Sequence, residues 1–357
     1  MSRGESQTLF SLGRKLARIT YRAVAWAIPT SMRDGLKDLN LRIRDQEALP
    51  YWERKEKEET AVPTVRVGFV GAGQFAQHHL KVMDCFVVVL PPHKIKSVVM
   101  QCLRTGKPVL MEKPAGLTSD ETLELVQQAE KYNTFGMVGF NRRFYSVLEH
   151  GLAALAHSGP LRGAVLEIPE AITDERQRGR YTEWEYDHFM FLNSIHGIDL
   201  LRYILGEVVA VHSMVRPNQE FKNRAASFAG TLEHEQGGMS TVLALWDTPS
   251  VFHLKIIAEE GSLEFEPLQR GWFVKTRGSK EVVKIPIRPD PVDTHFRTGI
   301  YAQDLHFIRA VRQGKTPSIP ACLLPDAYKT HLLIEKIFSH VSISDKKLAP
   351  PVDETKR

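Results

Sequence analysis

The sequence has few cysteines, no long apolar run and only a small excess of positive charge. Three cysteines in 357 residues, without metal-ligand spacing, argue against a disulfide framework or a zinc site. We therefore expect buried thiols in a reducing compartment, a cytoplasmic location and no bound metal. No segment is apolar over the length that a bilayer requires. The net charge of +5 is spread along the chain, which does not favour nucleic-acid binding.

Acidic residues are also scarce near the N-terminus, where Glu5 is the only one before Asp34. Apolar side chains recur there at helical spacing, at Leu9, Leu12, Leu16 and Ile19, and Pro29 ends the pattern. Residues 1–62 are therefore interpreted as a basic extension. A basic amphipathic helix is typical of a segment on a membrane surface or of a transit peptide. It also occurs as an arm that packs on its own subunit or a neighbour, which is the interpretation we favour.

Buried strands and helices alternate in the next part of the chain. The pattern predicts strands at Val65–Val70, Phe86–Leu90, Pro108–Met111 and Phe135–Phe140. It predicts helices at Gln74–Met83, Ile95–Arg104 and Ser119–Tyr132, with Ser119 as the N-cap of the last. This alternation is typical of an α/β domain built on a parallel sheet.

After Tyr145 the pattern changes to consecutive strands joined by short turns. Strands are predicted at 208–215, 225–232, 238–245, 251–258 and 261–265, with shorter ones to about residue 287. Helices are predicted at 194–204, 301–313 and 324–339. Strands connected in this way form a mostly antiparallel sheet, so we expect a larger α+β domain after the α/β one.

A glycine pattern directly follows the first predicted strand and opens a helix. It reads Gly71-Ala72-Gly73-Gln74-Phe75-Ala76. The first glycine permits a tight turn, the second lets the backbone approach a pyrophosphate, and the small alanine allows close packing of helix and strand. The helix N-terminus adds free N–H groups for the phosphate. In this context the pattern predicts a dinucleotide site at Gly71, Gly73, Gln74 and Phe75, with a plain tight turn as the alternative.

The acid that normally follows such a pattern is missing. In a typical site an Asp or Glu about 20 residues further on binds the ribose hydroxyls, but Pro91-Pro92-His93 stand at that distance. Asp84 is the only acid between Gln74 and Met111, and it comes too early for this role. The choice between NAD and NADP therefore stays open.

Five further motifs together resemble the glucose-fructose oxidoreductase / inositol dehydrogenase / MocA (Gfo/Idh/MocA) family. They are Val87–His93, Glu112-Lys113-Pro114, Gly139–Phe144, His196–Leu201 and Glu259–Leu263. The resemblance implies a Rossmann-like parallel sheet followed by a larger domain with an open, mostly antiparallel sheet. It implies NAD(P)-dependent oxidation of a secondary alcohol on a sugar, cyclitol or nucleotide sugar. A homo-oligomer formed through the open sheet face is also expected.

The resemblance assigns two catalytic residues. Lys113 corresponds to a proton donor and acceptor beside the reacting carbon, a role that suits a lysine whose pKa is lowered by partial burial. His196 corresponds to a histidine that contacts the reacting hydroxyl. The structural alternatives are a solvated Lys113 paired with Glu112, and a core His196 satisfied by Asp199. In the family an acid often lies four residues before this histidine, and here that position is Leu192, which weakens a proton relay.

The other candidate residues are expected at the rims of the cofactor and substrate sites. The cofactor candidates are Pro91, Glu112, Lys113, Asn141 and Arg143. The substrate candidates are Lys113, Asp199 and Tyr301. For Tyr301 buried packing is the alternative, and for Arg143 it is surface exposure.

The resemblance also reveals a gap in the nucleotide domain. The family has two more strand–helix pairs after the first helix, and each βαβ unit needs about 30 residues, but here that helix runs straight into Asp84-Cys85-Phe86. We infer an internal deletion that removes the adenosine side of the domain and exposes one sheet edge. The predicted domains are the extension 1–62, a shortened nucleotide domain 63–143, a substrate and oligomerisation domain 144–342, and a tail 343–357. The alternative function is that of a catalytically impaired sugar-binding or scaffold protein.

Overall fold

The structure of the chain is a computed structural model that describes residues 65–70, 83–171, 188–218, 224–246, 248–277 and 281–339. The predicted extension 1–62, the glycine turn and the tail 343–357 lie outside these ranges. The described residues form a five-stranded sheet and an eight-stranded sheet. None of the helices in this part of the chain combines the length and the apolar character needed to cross a membrane.

The first sheet has the strand order β1-β2-β3-β4-β13. Its parallel strands are β1 (Val67–Val70), β2 (Cys85–Val88), β3 (Val109–Met111) and β4 (Gly136–Val138), and helices α1 (Pro92–Leu103) and α2 (Ser119–Lys131) connect the last three. Every residue of β3 and β4 is buried, as expected for a parallel sheet covered by helices. The predicted Rossmann-like sheet is therefore confirmed.

The sheet gains a fifth strand from the far end of the chain. Strand β13 (Cys322–Leu323) pairs antiparallel with β4, whereas the sequence predicted four strands. Two residues are too few to show an alternating pattern, so this strand could not be predicted from the sequence. Because β13 comes from the late part of the chain, that part completes the first sheet.

Strand β1 pairs directly with β2, with Val67 opposite Cys85. In the usual doubly wound order 3-2-1-4-5-6, the neighbour of the first strand is the fourth. Loss of the second and third strand–helix pairs leaves this same neighbour in place, so the strand order agrees with the inferred deletion. Among the described residues no strand lies on the other side of β1. Val89, just after β2, is 62% exposed.

Two helix starts differ from the prediction. Helix α1 begins at Pro92, before the predicted Ile95, because the fixed φ of proline suits the first helical position. The N-cap of α2 is Thr118 and not Ser119, since the hydroxyl of Thr118 accepts a hydrogen bond from the N–H of Glu121 at 3.1 Å. Ser119 instead donates to the carboxylate of Glu335 at 2.6 Å.

The second sheet has the order β12-β11-β10-β9-β5-β8-β7-β6, and every pairing is antiparallel except that of β5 with β8. Its strands are β5 (Leu161–Pro169), β6 (Val208–Asn218), β7 (Arg224–His234), β8 (Met239–Leu245), β9 (His253–Ala258), β10 (Ser262–Phe265), β11 (Gly271–Arg277) and β12 (Glu281–Ile287). The other helices are α3 (Ser146–Leu155), α4 (Ile195–Leu205), α5 (Pro291–His295), α6 (Ile300–Arg312) and α7 (Leu324–Ser339). The predicted mostly antiparallel second sheet is confirmed.

Helix α4 packs closely against the inner face of this sheet. A Cβ atom at Gly197 would lie 2.7 Å from the Cδ1 atom of Ile168 on β5, so the glycine permits the close approach that fixes the position of the preceding His196. Trp246 is also part of this core, because it is 1% exposed and packs edge-on against Phe189 with 5.2 Å between ring centroids. This tryptophan therefore belongs to the core that supports the second sheet.

The outer face of the second sheet is partly apolar. Met214 on β6 and Met239, Leu243 and Leu245 on β8 are between 38% and 74% exposed. Since β8 alternates strictly between exposed and buried residues, its exposed side chains share one face. The homo-oligomer predicted to form through this face stays a prediction.

Candidate active site

The carboxyl ends of β2, β3 and β4 meet at one edge of the first sheet, where ligands bind in this architecture. Pro91 follows β2, Glu112 and Lys113 follow β3, and Asn141 comes shortly after β4. A hydrogen bond of 3.0 Å from the N–H of Glu112 to the carbonyl of Val88 continues the strand pairing into this edge. Four of the predicted cofactor positions are therefore brought together. Gly71, Gly73, Gln74 and Phe75 lie outside the described residues.

The side chain of Lys113 is held by a residue from the later part of the chain. Its ammonium donates a hydrogen bond to the backbone carbonyl of Leu192, which lies on the π-helical turn Met190–Ser194 just before α4. The carboxylate of Glu112 accepts a hydrogen bond from the backbone N–H of Lys113 at 3.3 Å. The Leu192 side chain is 2% exposed, so at the position of the family's acid the main chain, rather than a carboxylate, meets the lysine.

His196 is buried and electrically neutral. It is 6% exposed and lies edge-on to Phe140, with 5.8 Å between ring centroids. Its Nδ1 atom is buried and has no hydrogen-bond partner among the described residues. Burial lowers the pKa of His196 well below its ordinary value, and the positive charges of Arg142, Lys113 and Arg297 lower it further. At neutral pH the imidazole can therefore act as an uncharged donor and acceptor.

Asp199 and Arg143 form a buried ion pair one turn further along α4. The Nε and Nη2 atoms of Arg143 donate to the two carboxylate oxygens of Asp199 at 2.7 and 2.6 Å. The hydroxyl of Thr330 donates to Asp199 at 3.2 Å, and Arg143 also reaches Asp326 at 2.8 Å. Asp199 thus accepts hydrogen bonds from Arg143 and not from His196. Arg143 is 4% exposed and is therefore not a surface residue. Their roles toward cofactor and substrate stay predictions.

Asn141 and Tyr301 both contact the segment that leads into α6. The side-chain amide of Asn141 donates to the carbonyl of Thr298 at 2.9 Å, and Tyr301 stacks on Phe296 with 5.2 Å between ring centroids. Gly299 has a φ of +75°, and a Cβ there would lie 2.1 Å from the carbonyl oxygen of Asn141, so a glycine is required. These contacts fix the segment that carries Arg297.

Asp304 on α6 adds a carboxyl group with a shifted pKa. Burial raises the pKa of Asp304 to about 6, and the nearby negative charge of Glu112 contributes in the same direction. The side-chain amide of Gln303, which donates to Asp304 at 3.3 Å, opposes the shift. Asp304 therefore begins to take up a proton in mildly acidic solution.

We expect Asp304→Asn to stabilise the protein at pH 7.5 and not at pH 4. The folded state binds more protons than the unfolded chain between the ordinary pKa of 3.8 and about 6, so ionised Asp304 costs stability above that window. The shift corresponds to a gain of about 1–3 kcal/mol for the variant. Urea unfolding at both pH values measures it, with the exposed Glu130→Gln as the control. Equal gains at the two pH values would contradict the assignment.

The sequence did not single out Arg142, Arg297 or Asp304. Arg142 stands beside the predicted Arg143 on the 3₁₀ turn Asn141–Phe144. Successive side chains on such a turn point about 120° apart, so the two arginines have different surroundings, one near His196 and the other at Asp199. The adjacent pair of arginines was the signal available in the sequence. Which of the two lies near His196 can be decided only from the fold.

Two family models match the chain. Residues 81–140 match "Oxidoreductase family, NAD-binding Rossmann fold", and residues 159–264 match "GFO/IDH/MocA C-terminal domain". The first match begins after the glycine turn and ends at the residue before Asn141. It therefore covers the part of the nucleotide domain that carries Pro91, Glu112 and Lys113.

Curated relatives and solved structures agree with these matches. The 4-carboxy-2-hydroxymuconate-6-semialdehyde dehydrogenase of Sphingobium sp. is 22% identical over 306 residues, which are 83% of this chain and 91% of the relative. The scyllo-inositol 2-dehydrogenase (NAD(+)) of Bacillus subtilis is 24% identical over 250 residues, 66% and 70% of the two chains. Levoglucosan dehydrogenase in complex with NADH has a TM-score of 0.63 at 14% identity, covering 78% of this chain and 87% of that one, which shows a shared fold.

Proposed function

We propose that this chain, which belongs to the Gfo/Idh/MocA oxidoreductase family, transfers hydride between a nicotinamide cofactor and a secondary alcohol of a sugar, cyclitol or nucleotide sugar. The observation that carries the proposal is the meeting of Lys113 and His196 at the carboxyl edge of the parallel sheet. Lys113 reaches the turn that opens α4, and its charge is close enough to His196 to affect the pKa of the imidazole. The scyllo-inositol dehydrogenase among the relatives supports the class of substrate.

The described residues fit the nicotinamide half of NAD(P) better than the adenosine half. Pro91, Glu112 and Lys113 lie at the carboxyl edge, where the nicotinamide end would be held. The acid that could hold the ribose of the adenosine is absent there: Asp84 precedes β2, at the opposite edge, and it is bound to the Arg66 guanidinium at 2.7 Å. The chain therefore offers no ribose anchor at β2 among its described residues.

A bound nicotinamide supplies the hydride acceptor or donor, and the chain's own side chains handle the proton. Lys113, in its neutral form, takes the proton from the reacting hydroxyl, while the Leu192 carbonyl fixes the direction of its amine. The neutral imidazole of His196 hydrogen-bonds the same hydroxyl and orients it. Leu192 and Phe140, which are 2% and 1% exposed, exclude water from the side of His196. Because Leu192 cannot relay a proton, acid–base work falls mainly on Lys113.

A catalytically impaired family member is the second candidate function. Two observations favour it, namely the apolar Leu192 at the position of the relay acid and the absence, among the described residues, of a strand on the other side of β1. Such a protein would keep the cleft as a sugar-binding or interaction site. It would not turn over substrate.

Cofactor binding decides between the two candidates. We expect NADH, NADPH and the reduced nicotinamide mononucleotide to bind with dissociation constants within about tenfold of one another, because the adenosine half finds little to hold it. Titration of each compound, followed by reduced-nicotinamide fluorescence, measures this. A full-length relative with an intact nucleotide domain is the control, and we expect it to prefer a dinucleotide clearly over the mononucleotide.

The three dissociation constants distinguish the enzyme from the impaired protein. Absence of saturable binding up to about 1 mM of any of the three compounds, a typical upper limit for substrate affinities, rejects the enzyme and supports the impaired protein. Binding of NADH far tighter than the mononucleotide would instead show that the adenosine half is held, and the proposed loss of its anchor would be wrong.

A further inference from the structure

The pocket around His196 has an unusual charge composition. The charges that lower the pKa of the imidazole are those of Arg142, Lys113 and Arg297, and all are positive. In the family the position of Leu192 often carries an acid, which would offset the charge of the lysine. Here that side chain is apolar and buried. The pocket therefore gathers three cations around His196 and has no carboxylate at position 192.

Arg142 is the cation with unused hydrogen-bonding capacity. Its Nη1 atom is buried and has no hydrogen-bond partner among the described residues. Its guanidinium carbon lies 4.3 Å from the ring centroid of Phe252, which fixes the plane of the group. Tyr145 and the acid Glu170 lie near enough to favour the charge of the guanidinium. Among the described residues nothing accepts a hydrogen bond from Nη1, so this donor can meet a ligand.

The energetics of this cluster favour an anion. Burial lowers the pKa of Arg142, and the like charge of Arg297 lowers it further, so the two guanidinium groups repel each other in a site of low dielectric constant. The buried Nδ1 atom of His196 and the buried Nη1 atom of Arg142 both lack a partner among the described residues. Buried unpaired donors and buried cations are costly unless a ligand compensates them. A carboxylate or a phosphate, with several acceptor oxygens, suits the planar fork of an arginine.

We propose that the substrate of this site carries an anionic group, a carboxylate or a phosphate, and that Arg142 with Arg297 binds it beside His196. The proposal rests on the proposed function in that the same pocket is taken to hold the substrate. Within the proposed class of sugars, cyclitols and nucleotide sugars, it selects substrates that carry a carboxylate or a phosphate over neutral ones. Arg142 and Arg297 are then specificity-determining residues for the reaction.

Three hexoses that differ only at C6 test this proposal by direct binding. D-glucose has a hydroxymethyl group there, D-glucuronate a carboxylate and D-glucose 6-phosphate a phosphate. We expect isothermal titration to show at least about tenfold tighter binding of one or both anionic sugars than of glucose, with the ratio falling as salt is raised. In Arg142→Gln the ratio should fall to within about threefold of one, while Arg142→Lys, which keeps the charge, should retain part of it.

The exposed Arg162→Gln, whose side chain is 59% exposed, is the matched control and should keep the wild-type ratio. If Arg142→Gln does not fold, as judged by its thermal transition, Arg297→Gln gives the same reading. Equal affinities for glucose and both anions in the wild type overturn the proposal. A loss of NADH affinity in Arg142→Gln with an unchanged sugar ratio also overturns it, since Arg142 would then serve the cofactor. Failure of NADH to bind at all would reject the proposed function while leaving the anion preference measurable.

Discussion

Replacing Lys113 by methionine is expected to lower kcat by about 10²–10⁴, with a much smaller change in the affinity for NADH. Methionine keeps the length and the apolar stem of lysine but cannot accept or donate a proton, and general acid–base catalysis contributes about that factor. We expect the full loss of kcat at Lys113 because the two other groups that could transfer the proton are weakened in this chain. Leu192 offers only a backbone carbonyl, and burial keeps the pKa of His196 far below neutral pH, so imidazolium is not available as an acid.

The measurement follows NADH formation at 340 nm with a panel of neutral, carboxylated and phosphorylated polyols, and reads NADH affinity separately by fluorescence. Lys284→Met is the matched control, because Lys284 lies on β12, an edge strand of the second sheet, and its exposed side chain pairs with Glu264 at 2.5 Å. It should retain wild-type kcat. If Lys113→Met turns over within about threefold of the wild type, Lys113 is not the proton-transfer residue. The proton would then have to pass through another group.

The order of the fold was predictable from the sequence because local patterns determine it. Alternating buried strands and helices predicted the parallel sheet, and consecutive strands predicted the antiparallel one; both sheets are present. The strand β13 was missed because Cys322 and Leu323 acquire their strand geometry only by pairing with β4. The N-cap of α2 was misplaced by one residue because Ser119 and Thr118 are both good caps. The hydroxyl of Ser119 instead donates a hydrogen bond to Glu335, which is distant in sequence.

The role of the candidate site stays a prediction, and its electrostatics could not be predicted from the sequence. Motif matches placed Lys113 and His196 together because strand ends and a helix start are local features. The ion pair of Arg143 with Asp199 and the cationic surroundings of His196 depend on contacts between residues tens of positions apart. A sequence pattern gives the charge of a side chain but not its neighbours. Hence Arg143 was predicted at a rim, and Arg142, its neighbour in sequence, was not singled out.

Replacing Arg143 by methionine is expected to cost about 3–5 kcal/mol of folding stability, because removal of one partner of a buried ion pair leaves an uncompensated buried charge. Arg143 and Asp199 have side chains only 3% and 1% exposed, and their closest N–O contact is 2.6 Å. Burial alone would disfavour the charge of Arg143, but the carboxylate of Asp199 outweighs it and raises the pKa of the guanidinium. The charge of Asp326 would stay partly neutralised in the variant, because Asp326 also binds Arg202 at 2.9 Å.

Urea unfolding of Arg143→Met and of the double variant Arg143→Met/Asp199→Asn measures this cost. The double variant should recover at least about 1 kcal/mol relative to the single one, since the unpaired carboxylate is removed. Arg162→Met is the surface comparison, because Arg162 and Glu259 form an exposed pair worth less than about 1 kcal/mol. A loss at Arg143 no larger than at Arg162 would mean that the pair adds little to the fold. If NADH affinity fell in the same variant, the predicted cofactor role of Arg143 would be favoured. A large loss of stability with unchanged NADH affinity would instead mean that Arg143 connects the 3₁₀ turn to α4 and α7 and serves the fold.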